Sequence, residues 1–237
     1  MASSSKKQTD SRRVKLDQLR AQQKAAERKR SFIFVGIAIV IGLGLIAAAA
    51  VPLIQRNAER NREISSFGVA AASAGCGEVM DDPAQGVGEH VGPGTPTPDV
   101  GRVEYDTAPP SSGQHYVETA GFDRSFYSRS DAPALERLVH NLEHGYTIVW
   151  YDEDVSDDDV ETLESLAARV SADTPKFIVT AWDSEDRGEF TEDGDIAISH
   201  WTEGTGRRQY CTRPSGEAIA NFVEQFPSSD SPEPNAI

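Results

Sequence analysis

Thiols are scarce in this sequence: the only cysteines are Cys76 and Cys211. No C-x-x-C pair is present, which excludes a thioredoxin-type redox centre. Phosphate-cradling glycine motifs and internal repeats are also missing, and no G-x-S-x-G elbow offers a serine nucleophile. Basic charge is concentrated at one end. The 237 residues sum to −15, yet residues 1–31 hold ten Lys or Arg against Asp10, Asp17 and Glu27, which leaves −22 for the remainder. Phosphate binding needs clustered cations, so the acidic body is not a nucleic-acid binder. Its acidity serves solubility instead.

One apolar run stands out. Phe32 to Ile54 is 23 residues without a charge, long enough as a helix to cross a hydrocarbon layer of about 30 Å. Lipid leaves no water to satisfy backbone groups, so such a span must be helical. Ten cations precede it and only Arg56, Arg60 and Arg62 follow closely, which keeps the N-terminus cytoplasmic and exports the C-terminal body. The run is longer than the apolar region of a signal peptide, so an uncleaved anchor is expected despite the small residues Ala47 to Ala50. Cys76 is not a lipid site, because the polar stretch from Arg56 to Ser66 separates it from the apolar run. The expected organisation is a basic cytoplasmic tail (1–31), a transmembrane helix (32–54), a stalk (55–75), an extracytoplasmic domain (76–227) and a disordered tail (228–237). The bilayer is the first expected partner.

Both cysteines lie on the exported side, where an even count of two suggests one bridge. It would close a loop of about 135 residues and contribute on the order of 5 kcal/mol. Two free buried thiols are the alternative. Cys76 to Asp99 is rich in glycine and proline and reads as an irregular lead-in. Arg102–Tyr105 has the composition of a short strand, and Pro109–Pro110 force a loop after it. The clearest helix follows: Ser130 or Asp131 can cap it, Pro133 suits its first turn, and Leu135, Leu138, Val139 and Leu142 share a face before Gly145. Thr147–Tyr151 and Phe177–Trp182 read as buried strands joined by a helix that starts at Ser156, an order that implies parallel pairing. Ile196–Trp201 alternates as a half-exposed strand does. A last helix carries Ile219, Phe222, Val223 and Phe226 and stops at Pro227. The fold class is therefore α+β, or α/β, with a small mixed sheet and flanking helices.

Five histidines offer chemistry, at 90, 115, 140, 144 and 200. His140 and His144 stand one helical turn apart, on the side of their helix away from the leucine stripe, so neither is expected in the core. Such a pair can hold one Zn or Cu ion if a third ligand arrives. His115, after the Pro-rich loop, is the first candidate; Cys76, His90 or a carboxylate are more remote ones. The alternative is that these histidines only hydrogen-bond loop groups and fix the loop against the helix. His90 and His200 otherwise read as ordinary polar residues. His140 to His144 also matches the H-x-x-E-H pattern of inverted zinc peptidases, with Glu143 as the residue that activates water. The strand that follows at once does not suit a catalytic helix.

Taken in order, Pro109-Pro110-Ser111-Ser112-Gly113-Gln114-His115, the segment Glu136 to Gly145 and the strand ending Trp150-Tyr151 resemble domain-of-unknown-function family 3105, found in membrane-anchored proteins of actinobacteria and some other bacteria. The resemblance spans roughly Cys76 to Phe226. It implies that the P-P-x-S-G-x-H loop and the H-x-L-E-H-G helix end form one constellation, here His115, His140, Glu143 and His144, and it supplies no activity. Some members place a cysteine where Ala120 stands here. Two functions are expected from these features: a non-catalytic envelope protein whose outer domain binds an ion, or a protein partner beside a membrane complex; or a zinc-type hydrolase with His115, His140 and His144 as ligands and Glu143 as base. A third, a scaffold acting through the basic tail, is kept beside them.

Overall fold

The computed structural model describes residues 63–236, together with Ile41, Gly44 and Ala48, which are helical. The basic tail, most of the apolar run and the first part of the stalk lie outside the described residues. Residues 59–237 form a compact unit separate from residues 1–58. Among the described residues, no helix is long and apolar enough to cross a membrane.

The body is a mixed α/β domain built on one six-stranded sheet. In chain order the elements are β1 (Met80–Pro83), β2 (His90–Val91), β3 (His115–Tyr116), β4 (Phe126–Tyr127), α1 (Leu135–Glu143), β5 (Thr147–Tyr151), α2 (Asp157–Asp173), β6 (Phe177–Ala181), α3 (Ser184–Arg187), β7 (Ile196–Thr202), β8 (Thr205–Cys211) and α4 (Gly216–Gln225). The sheet order is β1-β8-β7-β5-β6-β4, and β2 pairs with β3 in a separate two-stranded ribbon. β5 and β6 run parallel through the α2 crossover, as a strand, helix, strand order of this length requires. β7 and β8 form an antiparallel hairpin beside them.

Two apolar layers sandwich the sheet. Val149, Tyr151, Val179, Ile196 and Ile198 face α2 and α4, meeting Leu163, Leu166, Ile219 and Phe222. The alternate positions Ile148, Trp150, Ile178, Ala197 and Trp201 face the leucine stripe of α1. This is the two-residue period of a strand set against the 3.6-residue period of a helix. Ser156 caps α2 by accepting from the Asp159 amide, and Gly145 ends α1 with φ +88°.

Several sequence expectations give way to packing. β7 alternates in composition, yet all seven residues are buried, because it lies between β5 and β8 with a layer on each face. Arg102–Tyr105 is coil. The Val103 amide donates to Glu136 Oε1 instead of to a neighbouring strand, and Glu136 is itself paired with Arg187. Ser130 and Asp131 do not cap α1, which begins after Ala134; Asp131 instead accepts from Ser128 and Arg124. Part of the expected stalk belongs to the domain, since Phe67 and Ala74 are buried and the 67–69 segment pairs with Pro214 and Gly216. The lead-in supplies two short strands, β1 and β2.

The C-terminal tail, expected to be disordered, is tied down as far as Ala236. Glu233 donates its amide to the Glu143 carbonyl, Glu203 donates to Asp230, and Lys176 Nζ donates to the carbonyls of His144, Pro234 and Ala236. Polar anchors of this kind leave no apolar pattern in the sequence.

Candidate functional site

α1 carries two stripes. Leu135, Leu138, Val139 and Leu142 fill the core, while Glu136, His140 and Glu143, at spacings of four and three, line a second face. That second face was expected to be outside the core, but it is buried as well. His140 is 6% exposed and Glu143 0%, because the 86–91 and 113–116 segments lie across it.

The Pro-rich loop is held by an ion pair between a buried arginine and a half-buried aspartate. Arg208, 2% exposed, grips Asp82 with Nε to Oδ2 at 2.5 Å and Nη2 to Oδ1 at 2.8 Å. Ser111 Oγ donates to the same carboxylate, and the Arg208-bonded Tyr210 hydroxyl donates to the Ala108 carbonyl. Arg208, first by its hydrogen bond, holds the Asp82 carboxyl below the usual carboxylate range, against the effect of burial. Asp82→Ala leaves the guanidinium buried and unpaired, so a loss of about 3 kcal/mol is expected in urea denaturation. A loss below about 1 kcal/mol would remove this pair from the account of the loop.

The loop delivers His115 to β3, where it pairs in parallel register with His90 on β2. Three imidazoles then form a nearly equilateral triangle. The ring centroids of His90 and His115 are 4.8 Å apart, those of His90 and His140 4.8 Å, and those of His115 and His140 4.7 Å. Glu143 completes the group: one ligand atom from each of His90, His115, His140 and Glu143 lies within 4.8 Å of the others. Drawing four such atoms onto one ion at bonds of about 2.1 Å sets them roughly 3.4 Å apart, which shortens the widest separation by about 1.4 Å.

The hydrogen bonds fix the protons. His115 Nδ1 lies 2.8 Å from the Gly113 carbonyl, which can only accept, so Nδ1 carries a proton and the ring is oriented with Nε2 toward Glu143. That Nε2 is 2.9 Å from Glu143 Oε2, yet neither atom has an aligned hydrogen-bond partner. Glu143 Oε1 accepts the Gly88 amide at 2.5 Å. Burial alone raises the Glu143 carboxyl, but His115 and the Gly88 amide outweigh it and hold the group below its ordinary range. Burial, then the neighbouring imidazoles, pushes His140 down to about 4, so it is neutral at pH 7. Its Nδ1 is a third buried atom of the cluster without a partner. The donor set is three imidazoles and one carboxylate, a set suited to zinc or copper.

Of the residues expected from sequence, His115, His140 and Glu143 come together. His144 does not join them: it caps α1, and its Nε2 turns to Glu233 Oε2 at 3.5 Å. His90, only a remote candidate, takes the place expected for His144. Its sole sequence signal is a histidine 25 positions before His115 in a glycine-rich stretch. Cys76 is unavailable as a ligand because it is bonded to Cys211 (S–S 2.10 Å).

His200 serves the core. It is fully buried on β7, with Nδ1 3.1 Å from the Tyr146 carbonyl and 3.2 Å from Thr147 Oγ1. Burial pushes it down to about 4. The unfolded chain takes up this proton near pH 6.5 while the folded one refuses it, so its stabilising contribution is present above pH 6.5 and lost as pH falls toward 4. Between pH 7 and 4.5 the wild type should lose about 2 kcal/mol more than His200→Gln in urea denaturation. Equal pH slopes would show that this ring is protonated without penalty.

A mixed α/β domain with a largely buried three-histidine, one-glutamate cluster is the class of protein these features define. A family model described as "Protein of unknown function (DUF3105)" matches residues 97–237, and the chain belongs to that family. Cys76 and His90 lie N-terminal to the matched residues. No curated protein and no solved structure shows significant similarity to the chain.

Proposed function

We propose that this chain is a single-pass membrane protein whose extracytoplasmic domain holds one zinc or copper ion on His90, His115, His140 and Glu143, as a binding site and not a catalytic one. One observation carries the metal reading. His115 Nε2 and Glu143 Oε2 are buried and 2.9 Å apart, and neither has an aligned hydrogen-bond partner. Folded proteins seldom leave buried polar atoms unsatisfied, and a cation held between these two would satisfy both. The uncharged run from Phe32 to Ile54 with its basic flank supports the anchor. A protein partner beside a membrane complex would meet the domain on the outer face.

The hydrolase alternative needs Glu143 as a base with a free oxygen. Here Oε1 is taken by the Gly88 amide and Oε2 faces the imidazoles, which supports a ligand role instead. Four protein ligands also leave no open position of the kind catalytic zinc keeps.

The test is metal analysis of the purified full chain in detergent after dialysis against Zn(II) or Cu(II), with the visible spectrum of the Co(II)-substituted protein. One ion per chain and a four-coordinate cobalt spectrum are expected. Stoichiometry well below one, with melting unchanged by chelator, would end the metal reading. Peptide or ester hydrolysis by the loaded protein, abolished in Glu143→Gln while the ion stays bound, would favour the hydrolase. For the anchor, a tag fused after Ile237 should be open to protease in intact, wall-stripped cells.

A further inference from the structure

The four candidate ligands are not held alike. His140 and Glu143 sit on α1, which packs into the core along its length. His115 is fixed by the Gly113 carbonyl and by a loop locked through Ser111, Asp82 and Arg208. His90 belongs to a two-residue strand between turns at Gly88 and Gly92. Among the described residues, its ring has no hydrogen-bond contact except His140 Nε2 at 3.5 Å. It is also the only one of the four that is half-buried, and it lines an open cleft of about 520 Å³ together with Gly88, Val91, Thr97, Gln114 and Val117. A hydrogen bond from Gln114 to Glu89 closes part of its rim, and Val117 stands half exposed at its edge.

Building on the metal reading above, we infer that His90 is the exchangeable ligand and that this cleft is the route by which the ion enters and leaves. Three fixed ligands retain the ion while His90 swings toward the cleft and lets an outside donor, an imidazole or a carboxylate, take its coordination position. The bond to His90 is the first to break; those to His115, His140 and Glu143 break afterwards, as further outside donors replace them and carry the ion out through the cleft. The asymmetry suits a site that receives an ion and passes it on, and not one that locks an ion in for folding.

The experiment follows release of Cu(II) from the loaded full chain into excess chelator by recovery of tryptophan fluorescence. Trp201 is a built-in reporter, its ring centroid 6.1 Å from that of His115. His90→Ala should still bind one ion and release it about tenfold faster or more, since a lost contact shows mainly in the dissociation rate. Val117→Trp, which adds bulk at the cleft without touching a ligand, should keep full stoichiometry and melting and slow release at least about threefold. Release at the wild-type rate by both variants, with the ion bound, overturns the route and leaves the metal site standing. Failure of the wild type itself to bind Cu(II) or Zn(II) instead overturns the reading on which the route rests.

Discussion

Replacing both Cys76 and Cys211 with serine is expected to lower the unfolding free energy by about 4–5 kcal/mol. The bond closes a loop of 135 residues that contains all eight strands. Opening it restores that much freedom to the unfolded chain, since the cost of loop closure grows with the logarithm of its length. Cys211 ends β8 in the layer under α2 and α4, and Cys76 packs against that layer just before β1. The bond therefore ties the lead-in that carries His90 to the end of β8, the strand next to the β1 edge. Urea denaturation of the wild type, with and without reductant, and of the double serine variant should give matching losses. A difference under about 1 kcal/mol would mean that the unfolded chain is already compact around these positions. Such a bond persists outside the reducing cytoplasm, so the size of this effect also bears on the proposed export.

The second large effect concerns the ion. His115→Ala or His140→Ala should weaken Zn(II) binding by about a hundredfold or more, since even residues that only support a ligand cost ten- to a hundredfold. In the wild type, free ion at 100 times its Kd should add about 2.7 kcal/mol of stability, removed by chelator. His144→Ala should bind almost as the wild type does, because its ring faces Glu233. Isothermal titration of the three variants separates the cluster from the sequence-derived trio of His115, His140 and His144. Loss of binding in His144→Ala equal to that in His140→Ala would restore the trio. Retention of binding in His115→Ala would sink both.

How much was legible follows the range of the interactions. The leucine stripe of α1, the Ser156 cap, the glycine stop at 145 and the apolar strands β5 and β6 are local patterns, and each appears in the structure where its pattern lies. The pairing of two lone cysteines needed only their count. His90 was not legible as a principal ligand, because parallel pairing of two-residue strands across an irregular stretch brings it beside His115, and no spacing rule encodes that. His144 was over-read for the opposite reason. A four-residue spacing puts two histidines on one side of a helix, but the helix ends at Glu143 and the capping ring follows the C-terminal tail.

The sequence by itself determined the family, the charge asymmetry, the uncharged run, the strand and helix identities and three of the four clustered residues, because each is written in composition, in short spacings or, for His115, in the ordered motifs of the family. The tertiary structure alone decided that both faces of β7 and both stripes of α1 are buried, that the tail is strapped down, and that His90 and not His144 completes the cluster. Those outcomes depend on which distant segments cover which faces, and the free energy that selects them is spread over contacts far apart along the chain.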